Sequence, residues 1–565
     1  MRWTFKPKPD SEKINTLAES LSVDKLIATL LVQRGIETFD QAKDFFRPSL
    51  DKLHDPYLMK DMDKAVDRVL KALQNKERIM VFGDYDVDGT TSVALMSSFL
   101  QKLSENICTY IPDRYGEGYG ISYQGIDYAN DNEVSLIIAL DCGIKSIDHI
   151  AYAKKLNIDF IICDHHRPAD QVPDAAAVLD PKQNDCNYPY KELCGCGVGF
   201  KLIQALAPHF NLSINDLIPY LDLVATAIGA DIVPITGENR ILATFGMQVI
   251  NNNPRPGIKA ILKGQKKLYT ITDIVFTVAP RINAAGRMKH GIYAVELLTI
   301  FNELEAEIAA REIDFFNEER RTKDQSITKE ALEQIIHLNE EYLYSTVVYD
   351  PTWHKGVIGI VASRLTETYY RPTLVFTKSG DKLAASARSV KNFDVYNALE
   401  ACSDHIIQFG GHMYAAGLTI DESKYPDFKE AFEKVVRETM KDEWREPEIE
   451  IDAEINLSEI TPKTIRILKQ FEPFGPENLH PIFVSKNLTD TGMVKQIGKN
   501  QEHLSAEVTQ NGIHKYRAIG FGMANHYNTL KNNYPFNAVY SIDENEFKGN
   551  TSLQLRLRDI QIIDS

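Results

Sequence analysis

The sequence predicts two α/β domains joined by a long helix and followed by a small β-barrel. Three patterns carry this. Short, continuous apolar strands alternate with helical stretches before residue 300, a charged helical run without Gly or Pro follows residue 303, and short strands with turn signals recur after residue 447. At 565 residues the chain is too long for one core, and three or four units of ~100–200 residues are expected.

Taken in order, residues 1–55 read as a helical lead-in. In 56–300 the segments Arg78–Gly83, Asn106–Ile111, Val134–Leu140, Ile158–Cys163 and Ala176–Leu179 are β-branched-rich and bounded by polar residues or Gly. Continuous apolar strands separated by helices imply a parallel sheet covered on both faces. The run 301–338 is either a helix connecting two domains or a solvated helix on one of them. A second α/β unit, 339–440, has strands at Thr346–Tyr349 and Thr373–Thr377 and helices at Gly359–Tyr369 and Tyr396–Gln408. In 447–565, Ile482–Val484, Glu507–Thr509, Tyr516–Phe521 and Leu553–Leu557 suggest an OB-like barrel, a fold suited to single-stranded nucleic acid.

The bulk numbers exclude some classes. No apolar run approaches the ~20 residues of a membrane helix, and the N-terminus lacks the apolar core of a secretion signal. A cytoplasmic chain without a membrane partner is expected. The seven cysteines have no zinc-site or disulfide spacing and read as reduced thiols. The net charge of −16 weighs mildly against nucleic acid, yet carboxylates gathered around metal ions would make a nuclease acidic while its groove stayed basic.

The chemistry lies at the carboxyl ends of the strands. Arg78–Gly83 runs into Asp84-Tyr85-Asp86-Val87-Asp88-Gly89, Val134–Leu140 into Asp141, and Ile158–Cys163 into Asp164-His165-His166; a helical run, Leu221–Gly229, precedes Ala230-Asp231. In a parallel sheet these ends share one edge, where open α/β sheets bind ligands. Singly, an Asp after a strand is usually a cap or turn former; three strand ends together are not. Two like charges 4 Å apart repel by ~4 kcal/mol at an effective dielectric of about 20, so a divalent cation is the natural compensation. Carboxylates with imidazole and no thiolate suit Mn2+ or Mg2+, one or two ions, with zinc possible. The chemistry so provided is phosphodiester or phosphoanhydride hydrolysis.

These same residues carry a resemblance. Gly83–Gly89, Leu140–Gly143, Asp164-His165-His166 and Ala230-Asp231 resemble the four motifs of the DHH phosphoesterase superfamily. Pro280–Arg287, Trp353–Gly359, Ala385–Ser389 and Phe409–His412 resemble its DHHA1 domain. Together the set is similar to the RecJ-like exonucleases. The resemblance implies metal ligation by Asp84, Asp86, Asp141, His165 and Asp231, with Asp222 the competing choice for the last. It implies that Asp88, Asp164 and His166 support those ligands from behind or contact phosphate, and it gives His412, with Gly410 and Gly411, a role at the scissile region. Arg114, Ser386 and Arg388 match a pocket for a 5′ phosphate, Tyr119 a residue that stacks on the terminal base, and Arg281, Asn283 and Arg287 the lining of the same cleft. Compared with the superfamily's small pyrophosphatases, the first motif lacks a leading His, which leaves the number of metals open.

The implied activity is 5′→3′ hydrolysis of single-stranded DNA to 5′ mononucleotides in repair and recombination, in a channel between the DHH and DHHA1 domains that admits one strand. The implied partners are single-stranded DNA bearing a 5′ phosphate, a single-strand-binding protein and a helicase, with the chain a monomer. The rivals are a phosphodiesterase for short oligonucleotides or cyclic dinucleotides, and a non-catalytic protein of replication complexes.

Overall fold

The computed structural model describes residues 1–547 and 550–563 and divides into two units, Leu50–Pro447 and the paired chain ends Met1–Ser49 with Glu448–Ser565. The larger unit starts on a five-stranded, wholly parallel sheet of β1 (Arg78–Gly83), β2 (Ile107–Tyr110), β3 (Val134–Leu140), β4 (Asp159–Cys163) and β5 (Ala177–Leu179) in the order β2-β1-β3-β4-β5. The winding reverses between β1 and β3, so a crevice opens beyond their carboxyl ends. Ile79, Val81, Leu136, Ile138 and Ile161 are fully buried, which is why these strands read as unbroken apolar runs. Helix α1 (Val87–Leu100), which leaves β1 directly, is buried at every residue. Helices α2 (Gly195–Leu206), α3 (Leu221–Ala230) and α4 (Ala279–Met288) pack into the same core.

Helix α5 (Glu303–His337) resolves the choice left open by the sequence. Its first half places Ala306, Ala310, Ile313 and Phe316 in the first core, and its second half places Ile327, Ala331 and Ile335 in another core with Val357, Val361 and Leu365. It therefore connects two packed bodies. Beyond it lies a mixed sheet of β6 (Thr346–Tyr349), β7 (Thr373–Ser379), β8 (Lys382–Arg388), β9 (Gln408–His412) and β10 (Ala415–Asp421), ordered β9-β10-β8-β7-β6. Two expectations, for Tyr396–Gln408 and for Pro280–Arg287, are corrected here. The helix expected over Tyr396–Gln408 stops at Glu400 and gives way to a 3-10 turn and strand β9. The Ala-rich segment Lys382–Arg388 is a strand, because antiparallel neighbours on both sides override its weak β-propensity. The Pro280–Arg287 motif belongs to α4 and the first core, not to the second α/β body.

The smaller unit holds a closed five-stranded barrel of β11 (Phe483–Asp490), β12 (His503–Thr509), β13 (Lys515–Gly520), β14 (Phe536–Phe547) and β15 (Asn550–Ile562). They run β11-β14-β15-β13-β12, and β12 pairs back onto β11. The lead-in expected to be helical starts with a strand, Arg2–Phe5, paired in parallel with Glu448–Ile451. Its helices place Ile14, Leu17, Ile27 and Leu31 in one core with Phe471, Phe483 and Tyr540. A pairing between opposite chain ends leaves no local signature. No helix among the described residues is long and apolar enough to cross a membrane.

Candidate metal centre

The crevice beyond β1, β3 and β4 gathers the acidic and imidazole groups. Asp84 leaves β1, and its Oδ1 accepts from Gly120 N at 3.1 Å. Asp86 caps α1, accepting from Gly89 N at 3.0 Å. Asp88, in the first turn of α1, accepts from Gly195 N at 2.6 Å and Cys196 N at 2.7 Å, so its carboxylate ties α1 to the positive N-terminus of α2. Asp141 follows β3 in the left-handed region, φ 59°, a conformation Asp tolerates better than most residues. His165 Nε2 lies 3.1 Å from Asp141 Oδ1, 3.5 Å from Asp231 Oδ2 and 3.8 Å from Asp88 Oδ2. Among the described residues, two overlapping groups lie close enough to hold a cation, Asp88, His165 and Asp231, and Asp141, His165 and, when neutral, His166.

The electrostatics fit a cation. Burial, followed by the charge of Asp86, pushes Asp84 up to about 8 and Asp88 to about 7. Burial with Asp88 and Asp86 raises Asp231 to about 8 and lifts Asp141 well above the usual carboxylate range. Asp86 is thus a charged neighbour of all four. Burial and the charge of His166 push His165 down to about 3, leaving it a neutral ligand. Asp84 Oδ2, Asp141 Oδ1 and His165 Nε2 are buried without a hydrogen-bond partner, while the ring of His165 also meets the Leu193 backbone. Buried polar atoms rarely go unsatisfied; an orphaned Asp141 oxygen 3.1 Å from a neutral imidazole, with further carboxylates around it, is the donor set of a hard or borderline divalent ion.

Asp164 organises the turn behind the centre. It accepts from His165 N, His166 N and His166 Nδ1 through Oδ1, and from Ile144 N through Oδ2. Burial opposes its charge, but the His166 contact wins and holds it at about 2. His166, despite burial, rises to about 9 on the same bond and is an imidazolium at neutral pH. Its Nε2 meets the Tyr119 hydroxyl at 3.1 Å, and that hydroxyl donates to the Asp141 carbonyl at 3.3 Å.

A second grouping is cationic. The Arg114 guanidinium lies 3.8 Å over the Tyr85 ring and leaves Nε buried and unpartnered. Arg287 is lowered to about 10 by burial and then by Arg114 and Arg388. The three guanidiniums therefore lie near one another, and among the described residues none is ion-paired to a carboxylate, although the charge of Arg114 acts on Asp84 and lowers it. Ser386 Oγ is 3.3 Å from Arg388 Nη1, and Gly359 makes the room: a Cβ there would lie 2.9 Å from Ser386 Oγ and 3.0 Å from Arg388 Nη2.

Other expected residues lie apart. Asp222 is taken up by Arg255 at 2.8–3.0 Å, so Asp231 and not Asp222 faces His165. Arg281 is bound by Asp314 of α5 at 2.6 Å. Asn283 has a buried, unpartnered Oδ1. His412, Gly410 and Gly411 sit on the exposed strand β9 and make no contact with the carboxylates among the described residues.

Two residues bordering the centre escape the sequence reading. Asp180 follows β5 just as Asp141 follows β3; it is fully buried with an unpartnered Oδ2, and burial raises it to about 7. The strand-end rule, applied once more, finds it. Gly195 had no signal: a Cβ there would meet Asp141 Cβ at 2.6 Å and Oδ1 at 2.8 Å. Gly195→Ala is therefore expected to displace Asp141, weakening Mn2+ binding by at least ~10-fold and destabilising the fold by ~1–3 kcal/mol, the usual scale of overpacking. Calorimetric metal titration and thermal melts measure both.

Comparison with known proteins agrees with this layout. The model of the DHH family N-terminal domain matches residues 78–228, that of the DHHA1 domain 339–438, and that of the RecJ OB domain 451–559. A single-stranded-DNA-specific exonuclease RecJ of Bacillus subtilis is 36% identical over 571 residues, covering 100% of this chain and 71% of its own. That of Escherichia coli is 34% identical, covering 88% and 90%. The crystal structure of RecJ in complex with Mn2+ from Thermus thermophilus matches at a TM-score of 0.85 and 25% identity, over 100% of this chain and 80% of that one. An exonuclease RecJ bound to manganese matches at 0.61 and 30% identity, over 71% of this chain and 99% of that one.

Proposed function

The chain belongs to the RecJ family, and on that premise we propose that it is a metal-dependent exonuclease that hydrolyses single-stranded DNA from the 5′ end to 5′ mononucleotides. One observation carries the reading: an orphaned carboxylate oxygen and a neutral imidazole, delivered by separate strands, meet where the parallel sheet reverses its winding. Bound Mn2+ or Mg2+, one or two ions, supplies Lewis acidity and lowers the pKa of water enough for attack on a phosphodiester.

The chain's own residues do the rest. Asp84, Asp86, Asp141, Asp231 and His165 would hold the ion. Asp88 fixes α2 behind them. Asp164 orients the two histidines and keeps His166 charged, so that its Nε2–H faces the Tyr119 hydroxyl at the mouth of the site. Arg114, Arg287, Arg388 and Ser386 receive the 5′ phosphate: planar guanidinium forks match phosphate oxygens, and none of the three arginines is ion-paired among the described residues. Tyr119, half exposed, offers its ring to the terminal base. His412, Gly410, Gly411, Arg281 and Asn283 are assigned more distant contacts with the strand. The barrel binds the trailing DNA. In the cell we propose a cytoplasmic monomer acting in repair and recombination beside a helicase and a single-strand-binding protein.

The test is digestion of 5′-labelled strands with Mn2+. Single strands are expected to release labelled mononucleotide while blunt duplexes persist. Removing the 5′ phosphate should raise KM by roughly 10- to 100-fold, the worth of one or two charged hydrogen bonds. In Arg388→Ala most of that difference should vanish, because the pocket no longer discriminates. Equal cleavage of both strand types, or an unchanged phosphate preference in the variant, contradicts the reading.

A further inference from the structure

Directly after Asp231, Ile232 breaks a local rule. Its φ is 59°, in the left-handed region, where β-branched side chains are least tolerated. It follows the C-cap of α3, the position at which helices usually place Gly or Asn for this reason. Its side chain is not there to fill the core, since it is 68% exposed. The conformation is imposed from both sides. Before it, α3 is buried nearly throughout. After it, Val233 and Ile235 are buried, and the Pro234 carbonyl accepts from Asn239 Nδ2 at 3.0 Å and Tyr190 Oη at 3.3 Å. Strain that the surroundings over-determine concentrates at functional sites. This one sits beside a carboxylate 3.5 Å from His165 Nε2.

We infer that Ile232 is a substrate-contacting residue whose exposed side chain packs on the base of a nucleotide flanking the scissile phosphate. The inference rests on the exonuclease reading of the same centre and assigns it a further contact. Glycine would relieve the backbone at this position, and a solvent-exposed isoleucine gains nothing from the free protein; an apolar surface brought by the substrate supplies the missing partner. An aliphatic side chain against a base face is sequence-tolerant, as an enzyme that degrades any strand requires.

The test compares wild type, Ile232→Gly, Ile232→Asn and Ile232→Val on three 5′-phosphorylated single strands: unmodified, abasic at the first position, and abasic at the second. Gly and Asn suit the left-handed backbone, so both variants should melt at or above the wild-type temperature, which separates function from folding. On the unmodified strand their kcat/KM should fall roughly 10-fold, the scale of a lost apolar contact, while Ile232→Val stays near wild type. On one of the two abasic strands the gap between wild type and Ile232→Gly should close. Wild-type kcat/KM in Ile232→Gly, or an equal loss on all three strands, overturns the base contact. Wild-type inactivity on the unmodified strand overturns the exonuclease reading and this inference with it, and is a different result from either variant outcome.

Discussion

Replacing His165 with Ala, or Asp86 with Asn, is expected to lower kcat by at least ~10³-fold with little change in KM for DNA. Removing a metal ligand removes stabilisation made mainly in the transition state, and about 4 kcal/mol corresponds to that factor. His165 contributes the neutral nitrogen nearest to three carboxylates. Asp86 is the charged neighbour common to Asp84, Asp88, Asp141 and Asp231. The DNA grip proposed above lies elsewhere, in the arginines and the barrel, so binding should survive. Single-turnover rates with gel-shift affinities check this. A variant that keeps a tenth of wild-type kcat contradicts the assignment.

The second large effect concerns stability. Without metal, Asp84 and Asp231 at about 8 and Asp88 at about 7 keep their protons to higher pH than in the unfolded chain. The folded state then binds more protons than the unfolded state between about pH 4 and pH 8. Stability therefore falls as pH rises through that window. Metal reverses this by replacing the protons, so Mn2+ affinity should rise with pH over the same range. At a hundredfold excess over Kd, Mn2+ should add about 2.7 kcal/mol. Thermal melts at pH 6 and pH 8, with Mn2+ and with chelator, should show the metal-free protein less stable at pH 8 and the metal-induced rise larger there. A rise that shrinks with increasing pH contradicts this.

Much of this is legible because fully buried parallel strands leave continuous apolar runs. Arg78–Gly83 and Val134–Leu140 show in the sequence at their observed bounds, and a parallel sheet sends every carboxyl end to one edge. Helix α5 is visible from its unbroken run, though not the division of its buried face between two cores. The features that escape depend on partners distant in sequence. Strand Arg2–Phe5 needs Glu448–Ile451. The small residues of Lys382–Arg388 form a strand only between two neighbours. The barrel strand Phe536–Phe547 is hidden because its charged residues mask the alternation. In the centre, side-chain types announce themselves, whereas Gly195 matters only through its distance to Asp141. Asp222 and Asp231 look alike in the sequence, and Arg255, 33 residues after Asp222, is what separates them.

The most direct measurement is Mn2+ binding followed by electron paramagnetic resonance of the free ion at pH 8, on wild type, His165→Ala, Asp141→Asn and Asp222→Asn. Wild type should deplete free Mn2+ with saturable stoichiometry, and the first two variants should lose that depletion. Asp222→Asn, judged only where it remains folded, should retain it. Undiminished Mn2+ binding in both His165→Ala and Asp141→Asn would contradict the account, because the ion would then be held by residues other than those gathered at the sheet edge.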